Sequence, residues 1–269
     1  MSRIPAIFES LRSRHRPGLM PFVCGGYPSL DATAQAIPAL ARAGASVIEV
    51  GIPFSDPIAD GPVIAAAMHE ALTGGVTTRA VMDAVARGRG LPGGGDVGLV
   101  AMVSVSIVQR FGVREFVHQA RQAGFDGLIV PDAPVEESAA LAGPVRDAGL
   151  TLSLLVAPTT PPERAKRIVA ACSGFVYVLA RVGITGASGG ARVDHAALAQ
   201  RVTELRGMTD LPLAVGFGIA SAEDVRAVVG AGADAAIVGS ALVKVMGGAG
   251  CAGAAAAAER FARELASGL

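Results

Sequence analysis

Short apolar runs punctuate the chain at near-regular intervals: LMPFVC (19–24), VIEVG (47–51), VGLVAMV (97–103), GLIVP (127–131), TLSLLV (151–156), FVYVL (175–179), LPLAV (211–215) and AAIVG (235–239). Most are continuous rather than alternating, the pattern of strands buried on both faces. Between them lie helix-like segments at 29–43, 62–73 with 77–90, 113–123, 135–147, 161–171, 195–206 and 221–231, and an Ala-rich helix near 254–266 closes the chain. Boundary signals agree. Pro161 and Pro162 suit a first helical turn, and Ser221 with Asp224 three positions on resembles a capping box. Gly44, Gly124, Gly149 and Gly232 stand where a helix must stop before the next strand. LPGGGD (91–96) reads as a helix-to-strand connection, and GGAGCAGAAAAA (247–258) as a glycine entry into the last helix.

Eight strand–helix units over residues 1–269 predict an α/β fold, a (β/α)8 TIM barrel in a single domain. The competing arrangement, an open doubly wound sheet, normally has fewer strands. No stretch reads as an interdomain linker.

Composition narrows the chemistry. Hydrophobic residues make up 51% and charged residues 17%, too apolar for a disordered chain. Mean hydropathy is +0.50. The longest uncharged stretch, Ala148 to Pro162, carries three prolines, which argues against a membrane-spanning helix. The N-terminal stretch mixes acid and base without an apolar signal core, so the expectation is a soluble, cytoplasmic protein. Lys+Arg 23 against Asp+Glu 23 argues against nucleic-acid binding by bulk charge. Cys24, Cys172 and Cys251 share no metal-type spacing and read as small hydrophobes in a reducing compartment.

In such a barrel, chemistry collects at the carboxyl ends of the strands. The only lysines, Lys166 and Lys244, fall in helix-like segments, which disfavours a Schiff base. None of His15, His69, His118 and His195 directly follows a strand, which disfavours an imidazole metal site. Carboxylates remain. Glu49 interrupts the run VIEVG, where a charge needs a partner or a task. The structural alternative for it is an ion pair with an arginine inside the barrel. Asp56 and Asp60 follow in the next loop, GIPFSDPIADGP; Asp56 also reads as a turn residue before Pro57, and Asp60 as an N-cap for the helix from Pro62. Asp132 ends the fourth run and reads most simply as structural. Glycine clusters follow the last three runs: VGITGASGG (182–190), GFGIAS (216–221) and VGSA (238–241). Glycine lets backbone N–H groups approach an anion. The residues by themselves therefore point to a metal-free, carboxylate-driven enzyme for a small phosphorylated substrate.

GIPFSDPIADGP beside VIEV, with PDAPVEE (131–137), GITGA (183–187) and GFGI (216–219), resembles the α subunit of tryptophan synthase, in order and over essentially the whole chain. The resemblance implies a lyase of tryptophan biosynthesis. It cleaves indole-3-glycerol phosphate to indole and glyceraldehyde 3-phosphate and passes the indole to a β subunit in an α2β2 heterotetramer. It implies no cofactor in this chain, PLP being expected only in the β subunit. By resemblance Glu49 shuttles protons and Asp60 stabilises the cationic indole ring. Phe22, Tyr177, Thr185 and Phe217 line the substrate pocket, and Gly186, Gly218, Gly239 and Ser240 hold the phosphate. The third run departs from the family pattern. Ser104 stands where a pocket tyrosine is common and Ser106 where an asparagine is; Cys24 replaces a usual threonine. Pro53 and Asp56 are in place. A free-standing indole-3-glycerol phosphate lyase and a catalytically weak regulatory subunit stay open as alternatives.

Overall fold

The computed structural model describes residues 1–57, 61–180, 194–216 and 218–269. Among these, nine strands pair in parallel: β1 (Gly18–Cys24), β2 (Val47–Gly51), β3 (Gly98–Met102), β4 (Gly127–Ile129), β5 (Thr151–Ser153), β6 (Leu155–Val156), β7 (Val176–Leu179), β8 (Leu213–Gly216) and β9 (Ala235–Val238). The order across the sheet is β5-β4-β3-β2-β1-β9-β8-β7-β6. Its two ends, β5 and β6, are separated only by Leu154, so they are halves of one stave and the chain itself closes the ring. This is the eight-stave (β/α)8 barrel that the apolar runs predict. At the break, Cys172 Sγ accepts the Leu154 N–H at 3.3 Å, which keeps that buried donor satisfied.

The outer helices are α2 (Leu30–Arg42), α3 (Pro62–Thr73), α4 (Thr78–Gly90), α5 (Val105–Phe111), α6 (Val113–Gln122), α7 (Ser138–Asp147), α8 (Pro162–Ala171), α9 (His195–Arg206), α10 (Ala222–Gly230), α11 (Ser240–Gly248) and α12 (Gly250–Ala266), preceded by α1 (Ile4–Ser13). The helix-stop glycines behave as expected: Gly44, Gly124, Gly149 and Gly232 take φ of +97°, +95°, +72° and +95°. Ser221 and Asp224 form a full capping box.

Three helices depart from the sequence reading. α1, α5 and α11 are additional, and the glycines at 247–248 end α11 rather than lead into the last helix, which starts at Gly250. The cause is local. Both α5 and α11 follow a strand after only one or two residues and carry further aliphatic residues, Val105, Ile107 and Val108 in one and Leu242, Val243 and Val245 in the other, that continue its apolar pattern.

Side-chain alternation divides the core. Leu19, Val23, Ile48, Val50, Leu99 and Leu128 face outward into the helix layer. Met20, Val47, Val100, Ile129, Phe175 and Tyr177 fill the interior. α1 closes the amino-terminal end: Ile4 and Phe8 join the interior cluster, and Phe8 meets Phe175 at 6.0 Å between ring centroids. Gly18 and Gly98 lie close beneath Leu11 and Ile4 of that helix. The same end is tied by Asp126, which accepts from Arg3 Nη1 at 3.0 Å, Arg89 Nη2 at 2.7 Å and the Leu99 N–H at 3.0 Å. The open end is the carboxyl-terminal mouth.

Candidate active site

β2 carries Glu49 into the interior, paired in register with Phe22 on β1 and Val100 on β3. Its side chain is fully buried. Among the described residues no donor reaches either carboxyl oxygen, and no arginine among them pairs with it. Burial alone pushes its pKa well above the usual carboxylate value, because the charged form has lost water and gained no partner. Such a group keeps its proton where other glutamates have released theirs.

The walls around it are shaped by glycines. The Phe22 ring lies over Gly51, where a β-carbon would stand 2.5 Å from its Cζ. Tyr177 lies over Gly216 in the same way, with its hydroxyl 2.6 Å from a built β-carbon. Gly239 faces Phe22 and Ile64. Phe22, Cys24, Ile64, Met68 and Val243 pack together at the mouth, with Met102 against them. Met102, Leu155 and Leu179 also pack on the interior cluster. These last three escaped the sequence reading. Period-two counting from Tyr177 finds Leu179, whereas Met102 and Leu155 emerge only from register, opposite Gly51 and Tyr177 on neighbouring strands.

The two helices after β8 and β9 differ at their starts. α10 is occupied by its own acid: Asp224 accepts from the N–H groups of Ala220 and Ser221 at 2.9 Å each. α11 begins at Ser240 after Gly239, with no side-chain cap and no acid in its first turn. An anion is therefore favoured at Ser240, where the helix start presents backbone N–H groups and the positive end of its dipole. Gly218 has φ +85°, a conformation that suits glycine.

Asp132 is structural, as read. It accepts from Ser104 Oγ at 2.6 Å and from the Val105 N–H at 2.8 Å, anchoring the start of α5. The N-cap position of α3 is Gly61, one residue after Asp60. Asp60, Thr185, Gly186 and Phe217 lie outside the described residues. Phe22, Glu49, Tyr177, Gly239 and Ser240 come together at one end of the barrel. Among the described residues no cluster of three or more His, Cys, Asp or Glu side chains could hold a metal ion, and no helix is long and apolar enough to cross a membrane.

Comparison with known proteins matches this arrangement. The family model for the tryptophan synthase alpha chain covers residues 8–267. A tryptophan synthase alpha chain from Halorhodospira halophila is 44% identical over 252 residues, 94% of this chain and 90% of the relative. One from a Synechococcus species is 41% identical, covering 98% of this chain and 96% of the relative. Among solved structures, Mycobacterium tuberculosis tryptophan synthase superposes with TM-score 0.88 at 35% identity, over 99% of this chain and 98% of that one. A tryptophan synthase subunit alpha from Legionella pneumophila gives 0.88 at 30% identity, over 100% and 98%. The buried acid on β2, the open helix start after β9 and these full-length matches agree: the chain belongs to the tryptophan synthase alpha chain family, the lyases that cleave indole-3-glycerol phosphate.

Proposed function

We propose that Glu49 and Asp60 carry that cleavage here, on a substrate anchored by its phosphate. The observation that supports this most is the buried carboxyl group of Glu49, which has no hydrogen-bond partner among the described residues. Protonated, it gives its proton to C3 of the indole ring. The bond from C3 to the glycerol carbon then breaks, its electron pair neutralising the cationic ring. The hydroxyl on that carbon becomes the aldehyde and returns its proton to Glu49, so the acid is regenerated. While C3 is protonated the ring nitrogen is cationic, and Asp60 accepts its N–H and stabilises that charge. Gly186, Gly218 and Gly239 offer backbone amides to the phosphate, with the Ser240 hydroxyl and the start of α11. Phe22, Tyr177, Thr185 and Phe217 enclose the ring. Residues 1–269 act as one barrel domain, with no cofactor of their own.

Members of this family work with a β subunit, which holds PLP. For this chain the proposed assembly is an α2β2 heterotetramer in the cytoplasm. Steady-state cleavage of indole-3-glycerol phosphate, with and without a β subunit, is the test. Glu49→Gln should lower turnover by about 10²–10⁴-fold while a phosphate-bearing substrate analogue still binds. Normal turnover by that variant would overturn the assignment.

A further inference from the structure

A cavity of about 360 Å³ opens above the ends of β2, β3 and β4. That lies within the range of small-molecule sites, about 300–1,000 Å³. Phe54, Met68 and Met102 give it an apolar wall, Asp56 lies at its edge, and among the described residues only the short side chains of Ser104 and Ser106 stand on its far side. Ser104 is drawn back to Asp132 and to the Ser106 N–H, so its hydroxyl is held at the wall.

Two of these walls belong to the site already described. Met102 lies opposite Gly51 in register, and Met68 Cε comes within 3.6 Å of a β-carbon built on Gly51. Both pack with Phe22. Stave order fixes the direction. β9, β1, β2, β3 and β4 follow one another around the ring. The open helix start at Ser240 follows β9, and Glu49 stands on β2, two strand spacings or about 10 Å away. A substrate with its phosphate at Ser240 and its breaking bond at Glu49 therefore points its ring onward, towards β3 and β4.

Resting on the reading above, we infer that this cavity is a specificity pocket for the far edge of the ring. The chain cleaves indole glycerol phosphates that carry a methyl or chloro substituent on the six-membered ring nearly as well as the unsubstituted compound. An apolar site with no such space distinguishes a single methyl-sized group by about 10–200-fold.

The test compares kcat/KM for the unsubstituted and ring-methylated substrates in the full-length protein, then in Ser106→Phe and Ser104→Tyr. The expected wild-type difference is within about threefold, well below the discrimination of a closed apolar site. At least one variant should lower the substituted-to-unsubstituted ratio by about tenfold or more. Ser106 is exposed on α5, so its variant leaves the hydrogen bonds of Ser104 in place. If the wild type cleaves the unsubstituted substrate but discriminates strongly against the methylated one, or if neither variant moves the ratio, the pocket assignment falls alone. If the unsubstituted substrate is not cleaved, the reading beneath it falls too.

Discussion

The ring of Phe22 occupies the space that a side chain on Gly51 would need, with a built β-carbon only 2.5 Å from Phe22 Cζ. Gly51→Ala therefore has to push the ring off the floor of the pocket, beside Glu49. Overpacking of this kind costs about 1–3 kcal/mol, and misplacing a wall of the site by about 1 Å lowers activity by up to 10²-fold. The variant should melt lower than wild type and lose kcat/KM by about tenfold or more. Calorimetry and steady-state kinetics on the same preparation check both.

Glu49 stores instability that depends on pH. Its pKa is raised well above 4.5 in the folded chain, by burial. The folded state therefore binds that proton more tightly than the unfolded state. The associated stability is present in full below the unfolded value and is lost as pH rises towards the folded one. Glu49→Gln, which has no such proton, should match wild type most closely below pH 4.5 and exceed it increasingly as pH rises above that. Denaturant unfolding of both proteins across that window measures the effect. A constant difference would show that the folded environment leaves Glu49 unshifted.

The Arg89–Asp126 network should govern stability without touching catalysis. Arg89 donates to Asp126 and to the carbonyls of Gly94 and Gly124, joining α4, the following loop and β4. Arg89→Met keeps the aliphatic stem but leaves Asp126 fully buried with Arg3 as its remaining ion-pair partner. Breaking a buried pair costs about 3 kcal/mol or more, here at the low end because Arg3 remains. Unfolding should shift by that amount while kcat of the folded variant is retained. A change in kcat at unaltered stability would contradict this division of labour.

The cysteines should separate by accessibility. Cys251 is exposed, whereas Cys24 and Cys172 are buried. Burial also pushes the Cys172 thiol up to about 12, so it offers almost no thiolate at neutral pH. A thiol-alkylating reagent should label Cys251 alone in the native protein and all three cysteines in denaturant, as read by intact mass.

The barrel was legible because its staves are continuous apolar runs, a pattern that survives without knowledge of neighbours. Glu49 was legible for the complementary reason, since one charge inside such a run stands out. Helices that begin where a strand ends were not: Val105–Phe111 and Ser240–Gly248 share the residue types of the strands before them, and only the bend of the chain separates them. The role of Asp126 was hidden as well. Its partners Arg3 and Arg89 lie 123 and 37 positions away, a separation that only the closed ring brings to hydrogen-bond distance. Asp132 could be read as structural, but that it restrains Ser104 depends on β3 and β4 being neighbours.

α1 carries a consequence for chemistry at the opposite end. Ile4 and Phe8 fill the amino-terminal end of the barrel, in one cluster with Met20, Val47 and with Val100, the register partner of Glu49. With that stopper in place the amino-terminal end of the barrel is filled among the described residues, which leaves the carboxyl-terminal end as the side of approach. Ile4 and Phe8 thus add apolar bulk to the interior in which Glu49 is buried, so the first helix contributes to the water-poor surroundings that raise its pKa.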